Sequence, residues 1–259
     1  MTFKLDLTET FPNLPRAPIV EAVIHWQARA GKALQPTELQ PKLSEKLPDY
    51  PACKVQHGLQ IEATGGSEGA LETRQRMLWE GFRLESENKQ YVAQFTPHGI
   101  VFSRLAPYEN WNSFHSEAMR LWRVFLELAE PPAIQRLGVR FINRMPLESG
   151  EKVSDYLRAA LKPSKDMELK AKSFFHQDLY QVPGHPYRVN LVRTIQSASV
   201  PSSDAPALIL DIDVFTEELA SLEVQLLQDR LAEIRWLKNK MFFTCLNKRA
   251  IEQFKEPVQ

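Results

Sequence analysis

Between Pro18 and Ala28 the chain alternates, with Val20, Ala22, Ile24 and Trp26 on one side and Glu21, Val23, His25 and Gln27 on the other. A period of two is that of a half-buried β-strand, so the spacing predicts a strand from Ile19 to Ala28. In PTELQPKLSEKL, Leu39, Leu43 and Leu47 recur at every fourth position behind Thr37, a residue type that caps helix N-termini, and a short helix is expected despite Pro41. CKVQHGLQIEA, RQRMLWEGFRLES, QYVAQFT and GIVFSRL are short alternating segments separated by the turn-rich TGGSEGA, ENK and TPHG, the pattern of an antiparallel meander. NWNSFHSEAMRLWRVFLELA then carries Phe114, Met119, Leu121, Trp122, Phe125 and Leu126 in a helical rhythm and stops before Pro131 and Pro132.

A similar order follows. AIQRLGVRFINRM reads as a strand and VSDYLRAAL as a short helix, and after the basic link KPSKDMELKAK come the strands SFFHQDLYQV, YRVNLVRTIQSA and ALILDIDVF. The long helix SLEVQLLQDRLAEIRWLKNKMFFTCL closes the chain. The expectation is an α+β fold of two pseudo-repeats, residues 1–130 and 131–259, each running strand, helix, antiparallel strands and long helix, and sharing one central sheet. Laying Ile19–Trp26 on Ile134–Phe141 puts Ala22, Ile24 and Trp26 over Leu137, Val139 and Phe141 on the buried face. Glu21 and His25 then fall over Arg136 and Arg140 on the polar face. If the two strands pair antiparallel, Glu21 is expected to meet Arg136 or Arg140 as a cross-strand charge pair.

Charge and cysteine content narrow the functional classes. Thirty-two basic residues balance thirty-two acidic ones, so the whole chain lacks the field that drives non-specific binding to nucleic acid or anionic membranes. The two cysteines, Cys53 and Cys245, are far apart and form no spaced metal set, which fits reduced thiols. No stretch approaches the ~18 apolar residues of a membrane span, and no targeting signal opens the chain, so a soluble cytoplasmic protein is expected.

The candidate chemistry is sparse. Asp211 and Asp213 share one face of the strand LILDIDVF and are the best candidates for a divalent metal, although paired charges opposite basic residues are the simpler reading. His176, Asp178 and His185 lack the spacing of a zinc set. Pro48-Asp49 with Glu87 and Lys89 loosely matches a nuclease arrangement, but Glu87 and Lys89 fall in a turn where such chemistry needs a rigid strand. On the C-terminal helix Arg235, Lys238 and Lys240 lie near Trp236 and form a candidate basic patch for nucleic acid, weakened by Glu233 and Asp229. No catalytic set and no cofactor fingerprint emerges.

The APIVEA opening, FSRLAPYENW at 102–111 and RLGVRFINRM at 136–145 resemble the signature segments of a sporadically distributed family of uncharacterised bacterial proteins of similar length. That resemblance implies a bacterial or phage-related source and no particular activity. By element order each half also resembles the half-saddle of the TATA-binding-protein fold, an analogy of topology only. The expectation is a non-enzymatic binding or accessory module, antitoxin-like or part of a mobile defence system, with a protein partner, a homodimer left open and only weak nucleic-acid binding. The rival is a metal-dependent hydrolase or nuclease using Asp211 and Asp213.

Overall fold

The structure, a computed structural model, describes residues 3–65, 71–148, 150–158, 173–196, 205–218 and 221–255. Nine strands form one sheet: β1 (Ile19–Gln27), β2 (Ala52–Gly65), β3 (Leu71–Glu85), β4 (Tyr91–Thr96), β5 (Gly99–Leu105), β6 (Arg136–Pro146), β7 (Phe175–Gln181), β8 (Tyr187–Gln196) and β9 (Ala207–Thr216). Four helices accompany them: α1 (Pro36–Lys46), α2 (Trp111–Ala129), α3 (Val224–Cys245) and α4 (Lys248–Lys255). The strand order is β2-β3-β4-β5-β1-β6-β9-β8-β7, every neighbour antiparallel, with β1 and β6 at the centre.

The central register follows the alternation in the sequence. Ala22 lies opposite Phe141, Ile24 opposite Val139 and Trp26 opposite Leu137, all buried on one face. Against that face pack Phe114, Leu121, Trp122 and Phe125 of α2, Leu231, Ile234 and Trp236 of α3, Leu39 and Leu43 of α1, and Ala250 and Phe254 of α4, in one continuous core. Trp26 stacks on Trp122 with ring centroids 5.4 Å apart, and Phe141 meets Phe114 edge-on at 6.2 Å. Trp236 belongs to the same core but reaches sideways to Phe3, 6.1 Å away. The opposite face of the sheet carries no helix among the described residues.

Several local expectations change. Helix α1 takes Gln35 as its N-cap, with no side-chain cap bond, and Pro36 in the first turn, so Thr37 lies inside the helix. Proline fits there because its missing N–H is one that a first turn leaves unpaired anyway. Where VSDYLRAAL suggested a helix, the described part is a 3-10 turn, Val153–Asp155, followed by a bridge from Leu157 to Leu246. Residues 159–172, which include the basic link, lie outside the described residues, as do 66–70 of the predicted glycine-rich turn TGGSEGA, whose first two residues, Thr64 and Gly65, instead extend β2. Beyond the expected end of the chain's long helix, Asn247 accepts a bond from Ala250 N at 2.9 Å and starts α4.

Candidate functional site

The polar side of β1, β6 and β9 is a ladder of charges on the uncovered face. Arg140 grips Asp211 with two bonds, Nε to Oδ1 at 2.8 Å and Nη2 to Oδ2 at 2.5 Å, and Arg136 Nη2 donates to Asp213 Oδ2 at 2.7 Å. The expected contact ion pair of Glu21 with either arginine is not formed among the described residues, although the Glu21 charge does act on Arg140 through space. In the regular register of β1 on β6 Glu21 lies opposite Ile142, diagonal to Arg140, and both arginines turn to the aspartates of β9. Asp211 and Asp213 therefore share a face as expected, each bonded to a guanidinium. Burial pushes the Asp213 carboxyl above its ordinary range, against the pull of Arg136 and Arg140.

His25 completes the ladder. Its Nδ1 lies 3.3 Å from Arg136 Nη1, a geometry in which the imidazole accepts and is neutral. Burial, helped by the positive charge of Arg136, pushes its pKa down to about 4. The Arg136 guanidinium also lies over Phe215, 4.3 Å from the ring centroid, and fills the space beside Gly138, where a Cβ would come within 2.8 Å of Arg136 Nη1. Val23, His25, Val101, Arg136, Gly138, Arg140 and Asp213 line a hollow of about 320 Å³ over the centre of this face.

The candidate basic patch on α3 disperses. Lys238 points inward and is only 9% exposed, Lys240 is paired with Glu9 at 2.6 Å, and Arg235 alone of the three is exposed, lying over the Trp111 ring. Burial pushes the Lys238 amine down to about 7, with Arg235 adding repulsion. Around it is a larger cavity between α2, α3 and the N-terminal segment, lined also by Tyr108, Trp111 and His115. None of these three was singled out from the sequence.

The remaining candidates are spent locally. His176 and Arg193 both engage Asp178, and His185 stacks on Tyr187 with centroids 6.5 Å apart. Asp49 bonds Arg120 of α2 at 2.6 Å, while Lys89 occupies a left-handed turn position at φ 57°, so the nuclease-like set is not assembled on one strand. Burial raises both thiols, that of Cys245 to about 11. Among the described residues no group of three or more His, Cys, Asp or Glu side chains is placed to hold a metal, and no helix is long and apolar enough to cross a membrane. Comparison with known protein families and with curated proteins gives no match.

Proposed function

We propose that the protein is a binding module built from two like halves joined at β1 and β6, and that it takes a protein partner on the uncovered face of the sheet. The strand order supports the like halves. Outward from the centre it runs β1, β5, β4, β3, β2 on one side and β6, β9, β8, β7 on the other, so each half places its first strand centrally and its last strand next to it. The saddle of the TATA-binding-protein fold is the analogy this reading draws, one of topology only. The bacterial accessory role implied by APIVEA and RLGVRFINRM is compatible with such a module and belongs to the same proposal.

One observation carries the reading: helices bury the central strands on one face, while the other keeps an open central hollow with an apolar floor, Val23, Val101 and Gly138, and a rim of fixed charges. Arg140, with about half its side chain exposed, has donor capacity left for a partner's carboxylate. The test is to fill and invert the hollow. Val101→Arg is expected to abolish co-purification of the partner from the native host while the melting temperature stays near wild type; Arg140→Glu is expected to abolish it too, with a lower melting temperature because Asp211 loses its bidentate partner. Lys248→Glu, on α4 away from this face, is expected to retain the partner. Size-exclusion with light scattering asks whether that partner is a second copy. Equal recovery by all three variants would remove the uncovered face from consideration.

A further inference from the structure

Under the sheet, α2, α3 and the N-terminal segment Leu7–Ala17 frame an open cleft of about 680 Å³, inside the ~300–1,000 Å³ span of small-molecule sites. Phe141 and Asn143 of β6 form its floor, Tyr108, Trp111 and His115 one wall, and Trp236, Phe242 and Phe243 of α3 another. Aromatic rings share this lining with amides, Asn143 and Asn239 among them, and α3 puts two cations into it.

Lys238 is nine-tenths buried and makes no hydrogen bond or ion pair among the described residues; its Nζ rests 3.9 Å from the centroid of the Phe141 ring. An ammonium has three N–H donors, and one ring face leaves most of that capacity unused. Arg235 lies three residues earlier, nearly one helical turn, with its guanidinium 5.2 Å from the Trp111 centroid and likewise without a carboxylate partner among the described residues. The acids that line the cavity are engaged elsewhere, Glu9 with Lys240 at 2.6 Å and Glu109 with Arg104 at 2.8 Å. A buried cation without a counter-charge costs stability, and Lys238 answers by giving up its proton readily, at about 7, so an incoming anion both pairs with the ammonium and favours it over the neutral amine.

We propose that this cavity binds a small organic acid, its carboxylate held between Lys238 and Arg235 and its flat apolar body laid among Trp111, Tyr108 and Phe141. The site is separate from the uncovered face and does not rest on the partner reading. Arg235, at the exposed rim, meets the anion first, and Lys238 receives it at the buried floor, where a charge-assisted hydrogen bond is stronger than at the surface. The N-terminal segment bounds the cleft through the Glu9–Lys240 pair and through Phe11, stacked on Phe243 at 5.4 Å between centroids.

The test uses the full chain with three probes, 1-naphthoate, its neutral counterpart 1-naphthamide, and inorganic phosphate, read by thermal melting and titration calorimetry. Naphthoate is expected to bind and to raise the melting temperature, with naphthamide and phosphate each weaker by roughly tenfold or more. Lys238→Met is expected to melt at or above the wild-type temperature and to lose the naphthoate response, because it removes the unpaired charge and the anion's partner together. Arg235→Gln, at the rim where folding is not at stake, should weaken naphthoate several-fold and keeps the question open to measurement if Lys238→Met fails to fold. Val101→Arg should leave naphthoate binding unchanged. A wild-type protein indifferent to naphthoate, or equal affinity for acid and amide, overturns the proposal. So does naphthoate binding that survives both Lys238→Met and Arg235→Gln, and phosphate binding as tight as naphthoate removes the flat-body requirement.

Discussion

His25 and Trp26 are adjacent in sequence and face opposite sides of β1, so their replacement has different consequences. Trp26 is fully buried against Trp122, and Trp26→Ala should cost ~3–5 kcal/mol or prevent folding, as truncation of large buried aromatics does. His25→Gln should be nearly silent at neutral pH, because the imidazole is already uncharged there. The difference appears in acid. The folded-state pKa of about 4 lies below the unfolded value of 6.5, so the unfolded chain binds more protons between these limits. Stability is therefore lost as pH falls from 6.5 towards 4, by at most about 3 kcal/mol through this group. Urea titrations at a series of pH values should show a shallower acid decline for His25→Gln than for wild type, and parallel curves would mean that His25 is not held neutral. The alternation in the sequence was enough to assign these two faces. It did not reveal the partner of Arg140, because that depends on β9 lying beside β6 and on the register of that pair, which leaves no local trace.

At the scale of elements, long periodic helices were legible and their exceptions were not. Leu227, Leu231, Ile234 and Lys238 follow one another at spacings of four, three and four, which places the lysine on the buried stripe of α3. That signal was present in the sequence but was outweighed by the expectation that charged residues face water. Helix α2 ended where Pro131 and Pro132 required, and the structure adds how: Glu130 adopts a left-handed conformation at φ 47° and donates its N–H to Leu126 O. This is the position for which glycine is preferred, since a Cβ costs about 1 kcal/mol there. Glu130 does pair with Lys32 at 2.5 Å, but both side chains are largely exposed, and such a pair is worth only a few tenths of a kcal/mol to ~1. Glu130→Gly should consequently be neutral to stabilising by about 0.5 kcal/mol in urea unfolding. A loss of 1 kcal/mol or more would show that the ion pair, not the backbone, decides this turn.

For the whole molecule, the proposed division at 130/131 has an energetic consequence. Strand β1 bonds β5 on one edge and β6 on the other, and β6 in turn bonds β9, so the two halves are joined through their central strands. They also share one core, in which Phe141 from the second half packs on Phe114 and Tyr108 from the first. Separating them would uncover a full-length strand edge in each half, the template for pairing with another chain. Residues 1–130 produced alone should therefore self-associate or aggregate, and so should residues 131–259. Produced together, they are expected to co-purify as a one-to-one complex, because the exposed edges of β1 and β6 are complementary in register and in side-chain packing. Sedimentation of the separate and co-expressed fragments distinguishes the cases. A first fragment that stays monomeric and melts cooperatively on its own would make the halves independent domains, and the central pair a junction that the fold can do without.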